Sequence, residues 1–148
     1  DLLHFYKANA PGFEKSWLML TAPQLGARHS RRLVGLHRMT AAETRSGAVL
    51  DDEIGVSPSL SPNLPTVSVP YGALLPRSTD NLLVAGRHIS SDAQTHTFMR
   101  EIPQCWLTGH AAGVAAALTA GGATRARDVP VADIRRELTR QGAYLQSS

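Results

Sequence analysis

The residues best suited to chemistry crowd into one stretch, Asn81 to Gly113, which reads NLLVAGRHISSDAQTHTFMREIPQCWLTGHAAG. An apolar run, Leu82–Ala85, leads to the pair Gly86-Arg87. A polar loop carrying His88 and His96 follows, and then a helix-forming run that opens near Pro103. Each part has a chemical meaning. A glycine at the end of a strand lets a ligand come close to the backbone, because no Cβ intervenes. The loop beyond a strand's carboxyl end is where open α/β sheets place their ligands. Proline in the first turn of a helix costs no hydrogen bond. The free N–H groups and dipole of such a helix start favour electron-rich or anionic ligand atoms.

Other constellations are weaker. Ser90, Ser91, Asp92 and His96 contain the residue types of a nucleophilic triad. No Gly-x-Ser-x-Gly elbow accompanies them, and closeness in sequence is not triad geometry. Cys105 is the single cysteine, so no disulfide can form within the chain and no Cys-based zinc site is available. Inside a helix it reads as a small buried hydrophobe. The histidines show no His-x-x-x-His spacing, so no metal is expected. Arg28, Arg31 and Arg32 could meet a carboxylate or phosphate, or form a solvated charge run. If Arg32 points inward from a strand it needs a partner, which makes it the better candidate of the three.

The elements around these residues follow from pattern. Asp1 to Asn9 reads as the end of a helix, closed by Pro11-Gly12. Ser16 to Thr21 has the length and character of a strand, as does Arg31 to Arg38, broken by Gly35. Thr40 and Glu43 have capping-box spacing, so a short helix is expected up to Gly47. Asp51 to Pro65, rich in Ser, Pro and acids, reads as a long loop. Thr66 to Val69 is strand-like, Pro70 to Pro76 extended or turning, and Asp80-Asn81 a turn. Leu82 to Ala85 is short and apolar enough for a buried strand. Pro103 to Ala120 is the strongest helix, with small and apolar residues almost all round, which implies burial. Gly109 and Gly113 read as packing residues within it. Gly121-Gly122 stops that helix. Val131 to Arg140 is a second, with Val131, Ile134 and Leu138 on one face and Gly142 at its stop. The fold class expected is α/β or α+β.

Composition excludes several classes. Of 148 residues, 43% are hydrophobic and 18% charged, an ordinary globular balance. The formal charge of +3 comes from arginine, since lysine occurs only at Lys7 and Lys15. No basic stripe interleaved with aromatics suggests nucleic acid. The longest apolar stretch, Ala111 to Ala120, falls short of the roughly 20 residues a membrane span requires. With one cysteine and no signal-peptide pattern, a cytoplasmic setting is expected. The chain opens Asp1-Leu2-Leu3, as though partway through a helix, which raises the expectation of a cut, processed or truncated chain.

Taken together, several of these pieces resemble one family. Pro70-Tyr71, Leu74-Leu75-Pro76, Asp80 to Arg87, Ile89-Ser90, Arg100, Pro103, Cys105 and the Gly-x-Ala-Ala-Gly of Gly109 to Gly113 stand in its order. Upstream, Ser30 to Gly35 resembles its Arg-Arg-Ile-Val-Gly strand, and Gln141 to Leu145 resembles its end. The family is that of the bacterial FAD-dependent oxidoreductases related to glutathione reductase and fumarate reductase.

The resemblance implies the C-terminal portion of a two-dinucleotide-binding-type flavoprotein. Residues 1–67 would belong to a substrate-side domain, and 68–148 would cap the flavin. Gly86 and Arg87 would run beside the ribityl and diphosphate part of FAD. The backbone at Ile102, Pro103 and Gln104 would face the pyrimidine edge. Arg100 and His96 become the catalytic candidates; Arg32 and His88 become candidates for holding a small organic substrate. The Gly-x-Gly-x-x-Gly turn that grips the ADP diphosphate in such proteins does not occur in this sequence. FAD would therefore be shared with an N-terminal Rossmann segment, on another chain or on the same one before a cut, making the assembly a heteromer in the first case. The expected reaction is hydride or electron transfer between that substrate and FAD. The alternative is a non-catalytic subunit or interaction module that retains the fold without the cofactor.

Overall fold

A computed structural model describes residues 2–58, 62–122 and 125–146. The expected helix start at Asp1, the middle of the expected loop at 59–61 and the last two residues lie outside the described ones. Five α-helices and one two-stranded sheet are present among them. In chain order they are α1 (Leu2–Asn9), α2 (Ala41–Ser46), β1 (Glu53–Ser57), β2 (Val67–Pro70), α3 (Ala93–Met99), α4 (Ile102–Gly121) and α5 (Val131–Arg140). Short 3-10 turns occupy Tyr71–Ala73, Gly86–His88 and Ala126–Asp128. This mixture of helix with a small antiparallel sheet is compatible with α/β or α+β.

Local chemistry accounts for several boundaries. In α2 the Thr40 hydroxyl accepts from the Glu43 N–H, and the Glu43 carboxylate accepts from the Thr40 N–H, so the capping box closes as its spacing requires. Gly47 ends the helix in the left-handed region, at φ 70°. Helix α5 spans Val131 to Arg140 as its periodicity predicts, with Ile134 and Leu138 buried.

Strands β1 and β2 pair antiparallel, Gly55 opposite Val69 and Ser57 opposite Val67, with an irregularity between Glu53 and Gly55. Helix α4 lies on β1 at close range. A Cβ added at Gly55 would stand 2.7 Å from Leu107 carbons, and the Gln104 amide donates to Ser57 Oγ at 2.9 Å. The core runs from the sheet to the helices through Ile54, Val69, Leu74, Met99, Ala115, Ile134 and Leu138. Tyr71 crosses it, its hydroxyl donating to Ala126 O at 2.8 Å. Burial pushes the Tyr71 phenol up to about 12.

Beside this core, three extended stretches are laced together. The Leu36 N–H reaches Leu75 O, the Arg77 N–H reaches Val34 O, the Leu33 N–H reaches His88 O and the Ser90 N–H reaches Ala73 O. Gly35 permits this approach: its missing Cβ would stand 2.7 Å from Ser90 Cβ and 3.0 Å from Gly72 O.

Several expectations change. The loop expected over Asp51–Pro65 contains β1, because Ile54 and Ser57 bury against α4 and β2. The polar loop after Gly86 contains α3, capped by Asp92. Leu82–Ala85 is extended but forms no ladder among the described residues; it is held by one bond, Val84 N–H to Leu74 O, and Leu82 is exposed. Residues 16–21 likewise form no strand ladder among the described residues, with Trp17, Leu18, Met19 and Leu20 exposed. Helix α4 buries one side only, through Gln104, Thr108, Ala111, Val114 and Ala115. The side carrying Trp106, Gly109, Gly113, Ala116 and Ala117 is exposed.

Candidate functional site

The site is built where the Gly86–His88 turn, the end of α3 and the start of α4 meet. Gly86 sits at φ 71°, in the left-handed region where a side chain is strained. Its N–H donates to Thr108 Oγ1 at 2.9 Å, two turns into α4. That hydroxyl is fully buried and itself donates to Gln104 O at 2.8 Å. The turn is thus fastened to the helix by one side chain. A Cβ at Gly86 would meet Cys105 Sγ at 3.7 Å, an ordinary contact, so the glycine is required here by conformation and not by crowding.

Helix α4 begins after Glu101, which provides no side-chain cap, and carries Pro at its first turn. The first-turn amides of Ile102 and Gln104 have no acceptor within the helix. Ile102 and Pro103 are exposed, while the Gln104 side chain turns inward to Ser57. The Gln104 side chain therefore supports packing, and what its position offers a ligand is backbone. Arg100 closes α3, its side chain largely covered and 3.9 Å from the Glu101 carboxylate. The Cys105 thiol lies 3.5 Å from Arg100 O, and burial raises its pKa against the pull of Arg87. This keeps it a thiol, in line with the structural reading of its sequence position.

His96 is buried on α3. Its Nε2 lies 3.0 Å from Arg87 O, which fixes Nε2 as the protonated nitrogen, and its Nδ1 is buried without a partner. The ring stacks on His29 with centroids 4.3 Å apart. Burial holds the His96 pKa below the ordinary 6.5; the Arg87 carbonyl opposes this, and His29, Arg32 and Arg100 add positive charge that reinforces it. His96 is accordingly neutral at pH 7. It also ties the Gly86–His88 turn to α3.

Of the residues singled out in the sequence, Gly86, Arg87, His96, Arg100, Ile102, Pro103 and Gln104 fall around this junction. Arg32 lies within electrostatic reach of His96, with its Nη1 buried and unpartnered. His88 and Arg87 are exposed and line a shallow hollow with Arg28, Arg31 and His96. The triad reading finds no support. The Asp92 carboxylate accepts from the Thr95 and Ala41 N–H groups, at 2.7 and 2.8 Å, and His96 bonds a carbonyl, not a serine. Among the described residues no His, Cys, Asp and Glu group could hold a metal ion, and no helix is long and apolar enough to cross a membrane. Thr108 was not legible as a site residue, because a lone threonine in an Ala-rich helix carries no signal of the distant N–H it binds.

The arrangement fits a flavin nucleotide on two counts: a left-handed glycine turn and an uncapped helix start beside it. It offers backbone approach at Gly86, helix-start amides toward an electron-rich edge, and cationic side chains around both. No curated protein and no solved structure matches the chain. A family model described as FAD dependent oxidoreductase matches residues 1–59 and 60–138, almost the whole length. That match, over far more than half of the chain, shows that this chain belongs to the FAD dependent oxidoreductase family.

Proposed function

We propose that this chain supplies the flavin-capping half of an FAD-dependent oxidoreductase that acts on a small organic substrate. FAD would be shared with a segment carrying the Gly-x-Gly-x-x-Gly turn. The observation that carries the reading is the junction at Gly86: a left-handed turn, bolted by Thr108 to a helix whose start is uncapped. In this reading Gly86 and Arg87 flank the cofactor, and the amides of Ile102 and Gln104, with Pro103 between them, face its electron-rich edge. FAD, when bound, supplies the acceptor and donor of the electron pair. The chain's own residues bind and orient. Arg100 presents positive charge to a substrate acid group or supports proton transfer. His96, neutral and with Nδ1 free to accept, holds the Arg87 carbonyl and is the candidate proton acceptor. Arg32 and His88 contact the substrate. The glutathione reductase-like superfamily, the C-terminal placement, the domain division at residue 67 and the heteromeric arrangement belong to this proposal.

Uncovered apolar surface supports the shared-site reading. The Trp106–Gly113 side of α4, the extended Leu82–Ala85 edge and residues 17–20 would each gain from burial against a further segment. Two variants of the FAD-loaded protein test the site. Arg100→Ala should slow turnover while the flavin-to-protein ratio holds, and unchanged turnover would remove Arg100 from the site. Gly86→Val should lower that ratio; full flavin retention would refute close approach of the cofactor at this turn.

A further inference from the structure

Next to the junction lies a cleft of about 460 Å³ whose polar lining residues are Arg32, Arg38 and Arg77 with Ser30, Ser90 and Ser91, each able to donate. No carboxylate lines it. Among the described residues, no aspartate or glutamate lies within ion-pair distance of these three arginines. Asp92 faces Arg38 only at longer range, and its oxygens already accept from Ala41 and Thr95. Two groups of the lining are buried without a partner, Arg32 Nη1 and the hydroxyl of Ser91, a residue only 4% exposed. Both belong to residues of the lining, and three arginines gathered there without a carboxylate leave the cleft short of acceptors. The walls are firm: Val34 and Gly35, Arg77, and Ser90 sit on the three laced stretches, with Gly35 pressed against Ser90.

We infer that this cleft seats the anionic oxygen group, carboxylate or phosphate, of the enzyme's organic substrate. Guanidinium forks and hydroxyls suit such a group, each arginine offering paired N–H donors to two oxygens. The cleft offers more room than an isolated oxyanion fills, which leaves space for the organic body beside Arg32 and toward His96. The word substrate rests on the proposed flavoenzyme reading; the anion site itself does not.

The test uses the complete protein with its FAD-sharing segment. Inorganic phosphate and malonate are titrated by calorimetry at constant ionic strength, with chloride as the balancing anion. At least one of the two should bind, and the one that does identifies the group as phosphate or carboxylate. Arg38→Ala and Arg77→Ala should each weaken binding about tenfold or more, the loss of one charge-assisted contact. Both side chains are exposed, so folding is spared. Arg136→Ala, whose side chain already pairs with Asp133 at 2.8 Å on α5, should leave binding unchanged. The flavin-to-protein ratio should stay constant throughout. Equal affinity in wild type and both cleft variants, or no binding of either anion, would overturn the inference. So would loss of FAD together with anion affinity, because the cleft would then serve the cofactor's diphosphate. Anion binding that depends on Arg38 and Arg77 in a protein that takes up no FAD would uphold the anion site and sink the flavin reading.

Discussion

Thr108→Val removes one oxygen from the middle of the molecule and little else. The two side chains are nearly equal in size, and the site is fully buried. Three bonds go with the hydroxyl: one accepted from the Gly86 N–H, and a proton shared between the Gln104 and Cys105 carbonyls, at 2.8 and 3.2 Å. The Gln104 carbonyl loses one donor, but it keeps the helix's own N–H from residue 108, so that loss is minor. The Gly86 N–H loses its only acceptor, 2.9 Å away, in a half-buried turn whose φ of 71° already needs support. Leaving such a donor unmatched costs about 1–3 kcal/mol. Thr108→Ser keeps the oxygen and gives up one methyl, roughly 0.8 kcal/mol by area. Urea unfolding of wild type and both variants, compared at their midpoints with the slope unchanged, separates the cases. The order expected is wild type, then Ser, then Val. Thr108→Val as stable as wild type, or Ser as damaging as Val, would refute the claim that this hydroxyl holds the Gly86 turn.

Further outcomes follow from the same geometry. His96 titrates below 6.5 in the fold, so its stabilising contribution is complete above that pH and is lost as the unfolded chain takes up the proton first. Stability should fall by at most about 1.4 kcal/mol per pH unit below 6.5, levelling once the folded ring is protonated too. Urea midpoints at pH 7.5 and 5.5 check this, and a loss of the same size in His96→Gln would assign it to other groups. Leu138→Ala, on the buried face of α5, should cost about 2–5 kcal/mol; a change under 1 kcal/mol in urea unfolding would contradict the packing of α5 on α4 and β1.

What the sequence made legible was local chemistry. The Thr40–Glu43 box, the stops at Gly47 and Gly142, and the Ile134–Leu138 face of α5 are decided within a few residues, and the structure has all of them. What it hid depends on distant partners. Glu53–Ser57 reads EIGVS, an acid and a glycine among few apolar residues, and is a strand because β2 and α4 cover it. Helix α3 reads AQTHTFM, too polar to announce itself apart from the Asp92 cap. The all-round apolar pattern of α4 and the run Leu82–Ala85 suggested burial that the described residues provide only in part. At the site, the helix start was readable from Pro103, whereas Gly86 read as the end of a strand and stands instead in a 3-10 turn. The Thr108 bolt and the Arg38, Arg77 and Ser91 wall were not readable, because they assemble from stretches about 20 to 60 residues apart.

The visible spectrum tests the central claim most directly. The chain is purified alone, and again with a segment bearing the Gly-x-Gly-x-x-Gly turn, each with added FAD and then freed of excess cofactor. Flavin absorption should be retained by the mixture and absent from the chain alone. A stable complex of the two that stays colourless would contradict the claim and leave the chain an interaction module with a flavoprotein's fold.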